Sequence, residues 1–373
     1  MRGGWLLPAM LSALLLLACD VQRPATAPTV RVDEAMGALP DPGFARAFEP
    51  RQFQFPQDHG AHPDFATEWW YLTGNLFTDN GRRFGYQLTL FRVGLRPGEA
   101  AKDSDWRSHQ VYMGHLAISD IAGTRHYSAE RFARAAAGLA GARVPPFEVW
   151  LGPWSLRAND ELFPLILEAQ HDDMGLSLRL QAGDKPMVLQ GERGLSRKSA
   201  TPGNASYYYS FTRLPTHGEL RIGDSLYRVQ GDSWMDREWS SSALDEDQVG
   251  WDWFALQFDD GRELMFYQLR TRDGGVHAYS RGSLVEQDGS IHRLLPGQVT
   301  LTPLRYWQGD DGTRYPIDWR LQLAEFQLDL EVRAALDDQL MDHTVHYWEG
   351  AVDVSGSHHG RGYLELSGYT GKP

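Results

Sequence analysis

Cysteine is nearly absent, with Cys19 the only one in 373 residues. No disulfide can form within the chain, so the fold must stand on burial alone even in an oxidising compartment. Basic charge is short as well: 36 Lys and Arg against 49 Asp and Glu leave a net charge of −13. That balance excludes a nucleic-acid partner, because phosphate binding relies on a basic surface; the acidity reads as solubility. There is no His-Glu-x-x-His helix, no Gly-x-Ser-x-Gly elbow and no phosphate-loop spacing, which removes the usual signatures of zinc and serine hydrolases and of nucleotide binding. The pairs His59/His62, His343/His346 and His358/His359 stand close in sequence, but nothing beside them completes a metal-ligand pattern. No metal and no cofactor are expected.

Long apolar runs are missing too. Trp5 to Leu17 is broken by Pro8 and is too short to span a bilayer, but with Arg2 before it the stretch suits a signal peptide over residues 1–18. It ends in Leu16-Leu17-Ala18-Cys19, which resembles the lipobox of bacterial lipoproteins, where the cysteine becomes the acylated first residue. Several acyl chains on Cys19 would anchor the protein firmly. Asp20 resembles a signal for retention at the inner membrane, which puts the body on the periplasmic face, with the outer membrane as the other destination. Residues 19–52, with Pro24, Pro28, Pro40 and Pro42, read as a tether.

From Phe53 onward strand patterns take over. Glu68-Trp69-Trp70-Tyr71-Leu72-Thr73-Gly74-Asn75-Leu76 has a partial echo in Gly250-Trp251-Asp252-Trp253-Phe254-Ala255-Leu256-Gln257. Each run is followed by a turn dipeptide, Asn80-Gly81 or Asp260-Gly261, and then by Tyr86-Gln87-Leu88 or Tyr267-Gln268-Leu269. Such dipeptides supply the positive φ angles of tight hairpins. Leu176–Gln181 and Phe326–Arg333 alternate polar and apolar residues, as strands with one wet face do. The alanine-rich Ser128–Ala137, behind a good N-cap, predicts a single short helix. Two related halves of antiparallel strands predict an all-β chain of two barrels or strongly curled sheets, divided into residues 53–230 and 231–373. A tryptophan-walled hollow inside at least one sheet would suit an apolar, unsaturated ligand.

Three segments together resemble the AttH/CrtC family: Glu68–Leu76, Asp232-Ser233-Trp234-Met235-Asp236-Arg237-Glu238-Trp239-Ser240, and Tyr347-Trp348-Glu349-Gly350-Ala351-Val352 with Gly362-Tyr363-Leu364-Glu365. The resemblance runs from about residue 53 to the carboxyl terminus. It implies two tandem lipocalin-like (calycin-type) antiparallel β-barrels and hydrophobic ligands, since relatives include carotenoid 1,2-hydratases. In those hydratases the second segment commonly reads Asp-His-x-Trp; the matching positions are Arg237 and Trp239, so the histidine is replaced. Arginine cannot serve as a general acid. A tyrosine and an aspartate on the following hairpin match Tyr267 and the non-acidic neighbourhood of Gln268.

Alkene hydration needs a carboxyl kept protonated by burial and aromatic faces to stabilise a cation. Asp236, Glu238, Trp239 and Tyr267 are the candidate catalytic residues. Glu68, Trp69, Trp70, His115, Arg237, Trp251, Trp253 and Trp348 are the candidate ligand-binding residues. The plainer alternatives are a structural ion network for Asp236-Arg237-Glu238, core packing for the tryptophans and a satisfied structural role for His115. Three functions remain open: a tethered carrier of a lipid, isoprenoid or polyene; a hydratase, isomerase or cyclase acting on one; and an accessory subunit of a membrane transport complex.

Overall fold

The computed structural model describes residues 42–98, 106–242 and 244–369, with the backbone of Val30–Arg31. Cys19, the signal segment and most of the tether lie outside the described residues. The chain forms two large, curled antiparallel sheets, one of 13 strands and one of 11, giving the tandem calycin-type architecture expected. The path of the first sheet runs from Arg125–Arg134 through Gln110–Asp120, Arg83–Gly94, Thr67–Phe77, Ser225–Ser240 and Ala205–Ile222 to a meander ending at Ala140–Arg143. The second is centred on Glu263–Thr271, Gln248–Phe258, Gly360–Ser367 and Val345–Gly356.

The two aromatic runs are the inner strands of matching hairpins, Thr67–Phe77 with Arg83–Gly94 and Gln248–Phe258 with Glu263–Thr271. Gly81 and Gly261 take φ of 82° and 84° at the turns, a conformation that favours glycine. Neither run alternates in polarity because both faces of these strands are covered. Trp70, Leu72 and Leu76 point into the first barrel, where they join Leu88, Leu116, Trp154 and Leu167 in its core. Trp69 and Tyr71, on the other face, meet the second sheet. In the second sheet Phe254 and Leu256 pack with Trp319 and Trp348 inside the barrel, while Trp253 and Ala255 face the first sheet. Each fully buried large apolar side chain contributes roughly 1.5–3 kcal/mol.

Both barrel interiors are therefore packed, and the hollow expected inside one of them is not there. It lies between the sheets. Three further expectations change. Ser128–Ala137 is not a helix: its first part belongs to the strand Arg125–Arg134, which pairs with Gln110–Asp120 along its whole length, so sheet pairing overrides alanine's helical preference. The only helical turns among the described residues are the short 3₁₀ segments Gln57–His59 and Ala324–Phe326. The change of sheet falls between Ser240 and Gln248, since the strand Ser225–Ser240 runs unbroken across the expected 230/231 boundary. The end of the supposed tether is already part of the body, with Phe44 and Ala47 buried and Ala45 N–H bonded to the Asp64 carbonyl at 2.8 Å.

The sheets meet closely at Gly85, where an added Cβ would lie 2.7 Å from Tyr363 Oη and 2.8 Å from Ala351 Cβ. Gly85→Ala is expected to lower stability by about 1–3 kcal/mol through this overlap. Urea unfolding checks it, and an unchanged midpoint would contradict the close packing of the two sheets.

Candidate active site between the sheets

Directly opposed residues of an antiparallel pair share a face. Asp236 opposes Tyr71, and Glu238 opposes Trp69 on one side and Tyr208 on the other. These five side chains therefore project from the first sheet toward the second. From the second sheet Trp253 opposes both Tyr267 and Glu365, and Glu349 opposes Glu365. The two sets enclose a cavity of about 140 Å³, lined also by Phe91, Lys198, Trp251 and Tyr347. That is the volume of a site that takes one small ring.

Aromatic faces form most of the wall, and carboxyls are set among them. Asp236 accepts hydrogen bonds from Ser210 Oγ at 2.6 Å, Trp234 Nε1 at 2.7 Å and the Tyr208 hydroxyl. Burial raises its pKa, these donors lower it and the nearby Glu238 raises it again, leaving it at about 7. Glu365 accepts from Trp251 Nε1 at 2.7 Å; burial again raises its pKa, to about 7, with Asp236 and Glu238 adding to the rise. Glu349 accepts from the Tyr71 hydroxyl at 2.5 Å. Burial and the facing Glu365 push it well above the ordinary carboxylate range. The facing pair Glu349 and Glu365 therefore holds a proton near neutral pH.

Glu238 has a different partner. Ser206 donates to it, and Lys198 Nζ lies 3.0 Å away. Burial pulls the Lys198 ammonium down, but Glu238 and Tyr267 outweigh it and the net shift is upward. The same ammonium stands 4.4 Å from the Tyr267 ring centroid, and Tyr267 Oη is bonded to Ser196 Oγ at 2.9 Å. The site thus combines one ion pair with three carboxyls whose pKa values burial raises. Among the described residues no three His, Cys, Asp or Glu side chains are arranged to hold a metal ion.

Of the residues anticipated from sequence, the cavity brings together Asp236, Glu238, Tyr267, Trp69, Trp251 and Trp253. The others are elsewhere. Trp239 is on the opposite face of its strand, stacked on His62 at 3.8 Å between centroids and 6° between planes. Arg237 and Glu68 form a buried ion pair at the end of the first barrel, with the guanidinium 4.0 Å over Trp70. The replacement of the hydratase histidine by Arg237 therefore concerns this barrel end. Trp348 is inside the second barrel, its Nε1 donating to the Asp337 carbonyl at 2.9 Å. His115 lies between the sheets behind Tyr347 and does not line the cavity. Sequence reading missed Tyr71, Lys198, Tyr208, Tyr347, Glu349 and Glu365. Four of these lie within the quoted motif segments, and only strand register reveals their common face.

Two curled sheets with a carboxyl-bearing aromatic cavity between them define a tandem calycin-type protein whose site is shared by both halves. The chain belongs to the AttH-like family, whose pattern matches residues 46–369. A crystal structure of a protein from Nitrosomonas europaea described provisionally as AttH is 32% identical, covering 88% of this chain and all of that one with a TM-score of 0.77. Kievitone hydratase from Nectria haematococca shares the fold at 14% identity, covering 87% of this chain and 98% of that one, with a TM-score of 0.62. CghA, in a crystal structure with Sch210972, shares it at 13% identity, covering 92% and 99%, with a TM-score of 0.54. No curated protein matches the chain.

Proposed function

We propose that this protein binds a small apolar, unsaturated molecule, or the unsaturated end of a longer isoprenoid or polyene, between its sheets and activates it with a proton. The observation that supports this reading is the set of buried carboxyls whose pKa values burial raises, Asp236, Glu349 and Glu365, inside an aromatic wall. In hydration, the carboxyl O–H proton adds to one alkene carbon and the cation forms at the other. The faces of Trp253 and Tyr208 stabilise that cation. Water then adds to it, and the proton released returns to the carboxylate. Fold relatives that include a hydratase are consistent with such chemistry. A carrier needs no protonated carboxyls, and desolvating them costs stability.

Lycopene and shorter acyclic polyenes are the test substrates. Turnover is expected, and Asp236→Asn or Glu349→Gln is expected to reduce it by about 10²–10⁴-fold. A carrier is the second reading, favoured by the complete hydrogen bonding of Asp236 to three donors. A ligand recovered unchanged by native mass spectrometry, with no polyene turned over by wild type, would establish the carrier in place of the enzyme. The same proposal includes acylation at Cys19 and residence on the periplasmic face of the inner membrane. Cys19→Ser should move the protein from the membrane to the soluble fraction. Retention of that variant on a specific membrane complex would instead support the transport-accessory role.

A further inference from the structure

Behind the cavity wall lies a second line of polar side chains that the chemistry above does not use. His115 Nδ1 is 2.7 Å from the Tyr347 hydroxyl, and His115 Nε2 is 3.1 Å from Glu130 Oε1. Glu130 Oε2 in turn accepts from Thr344 N–H at 3.3 Å. His115 is fully buried and Glu130 is partly exposed on the neighbouring strand. Tyr347 reaches the cavity from the second sheet, and its hydroxyl lies beside the Glu349 carboxyl. Glu349 Oε1 is taken by Tyr71, while Oε2 is buried and has no hydrogen-bond partner of its own. The groups form a line from the cavity outward: Glu349, Tyr347, His115, Glu130.

We propose that Tyr347 and His115 form a proton relay connecting the Glu349 carboxyl with Glu130 at the outer part of the first sheet. The inference rests on the reading of Glu349 as a proton-holding group of the cavity. Hydrogen-bond chemistry sets the direction. A carboxylate only accepts, so the imidazole nitrogen facing Glu130 carries the hydrogen and Nδ1 is left bare to accept the Tyr347 O–H. The Tyr347 oxygen, which also accepts from Gln87 Nε2 at 3.4 Å, is then free to take a proton from Glu349 Oε2. In one transfer the Glu349 proton passes to Tyr347 Oη while the Tyr347 proton passes to His115 Nδ1. The products are a Glu349 carboxylate, an unchanged tyrosine and an imidazolium paired with Glu130. Charge is conserved and no bond to carbon changes. Reloading a Glu349 that does not recover its proton from the ligand needs the His115 ring to turn so that its N–H faces Tyr347. Tyr347 then gives its proton to Glu349 and takes that hydrogen, while the bare imidazole nitrogen takes a proton from solvent beside Glu130.

The other groups around His115 fit this role. Phe91 packs its ring edgewise at 5.4 Å, and the His343 ring stands at 6.0 Å with its Nε2 3.0 Å from Ser128 Oγ. Burial lowers the His343 pKa, and the neighbouring His115 lowers it further. His343 therefore favours its neutral form, and Glu130 supplies a negative charge paired with the imidazole from the first sheet. Burial alone would raise the Glu130 pKa, but its bonds from His115 and Thr344 bring it to about 2, so it remains a carboxylate.

Infrared spectroscopy of the ligand-free protein in D₂O tests the relay, with the protonated-carboxyl band assigned by Glu349→Gln. Wild type should exchange this proton quickly, and Tyr347→Phe and His115→Gln should each slow exchange by about 10²-fold or more. Equal exchange rates in wild type and both folded variants would overturn the relay. Nitrogen-15 NMR of wild type decides independently of any variant: hydrogen on Nε2 with Nδ1 bare is expected, and hydrogen on Nδ1 would overturn it. The two readings fail separately. Unchanged exchange in an enzyme that turns over polyenes removes the relay alone, whereas relay-dependent exchange without turnover removes only the proposed reaction.

Discussion

Glu68→Gln is expected to cost about 3–5 kcal/mol of folding free energy, the largest stability loss of any single change considered. Glu68 is fully buried between Arg92 and Arg237, which are also fully buried, and it bonds to both guanidinium groups. The His62 backbone N–H reaches its Oε1 at 2.9 Å, and the His62 ring reaches Oε2 at 3.1 Å. An amide in its place leaves two interior cations with no carboxylate, and uncompensated buried charge is far more costly than a lost contact. Domain stabilities of about 5–15 kcal/mol make this roughly a fifth of the total or more. Burial by itself would raise the Glu68 pKa, but Arg92 and Arg237 outweigh it and hold it well below the carboxylate range. Its stabilisation is therefore present above the unfolded-state pKa and is lost as pH falls through the depressed folded value. Urea unfolding at neutral pH measures the effect, and a loss below about 1 kcal/mol would contradict a closed ion network. The network joins the strands Thr67–Phe77, Arg83–Gly94 and Ser225–Ser240, two of which carry Asp236, Glu238, Trp69 and Tyr71 into the cavity on their opposite faces.

The architecture was legible because it is written in local signals. The hairpin turns at Gly81 and Gly261 and the doubled aromatic runs led directly to two curled sheets. The location of the site was not, because it depends on which face each residue takes. Tyr267 stands one residue further from its turn glycine than Tyr86 does, and in a strand one residue reverses the face. Tyr86 accordingly packs inside the first barrel, whereas Tyr267 enters the cavity. The same alternation separates Asp236 and Glu238, which line the cavity, from Arg237 and Trp239, which do not. Glu349 and Glu365 were in view as parts of the third motif, but they lie on different strands, and only the pairing of Val345–Gly356 with Gly360–Ser367 sets them opposite each other. The misread helix has a related cause. Ser128–Ala137 has helical composition, but the open edge of the Gln110–Asp120 strand offers it a continuous ladder, which no local propensity records.

Asp236→Asn is expected to have opposite effects on stability and activity, and this separates a working acid from a structural ion. The Asp236 pKa is raised from 3.8 to about 7 on folding. Its contribution is therefore fully present below about pH 3.8 and is lost as pH rises through about 7, a change on the order of 4 kcal/mol. An amide does not ionise, so the variant escapes that loss. At pH 8 it should be more stable than wild type by roughly 1–3 kcal/mol after the poorer fit to Tyr208, Ser210 and Trp234 is deducted. Near pH 4 the advantage should reverse, because there only the poorer hydrogen bonding remains. Glu365, raised to about 7 as well, keeps part of the wild-type slope, so the variant should lose some of the pH dependence and retain the rest. Urea unfolding across pH 4–8 measures both features, and activity toward a supplied polyene should fall as stability at pH 8 rises. A structural carboxylate would behave differently: Asp236→Asn would then destabilise the protein throughout the range, most of all at high pH. Stability falling on substitution at pH 8 would thus remove Asp236 from the chemistry and leave it as part of the frame.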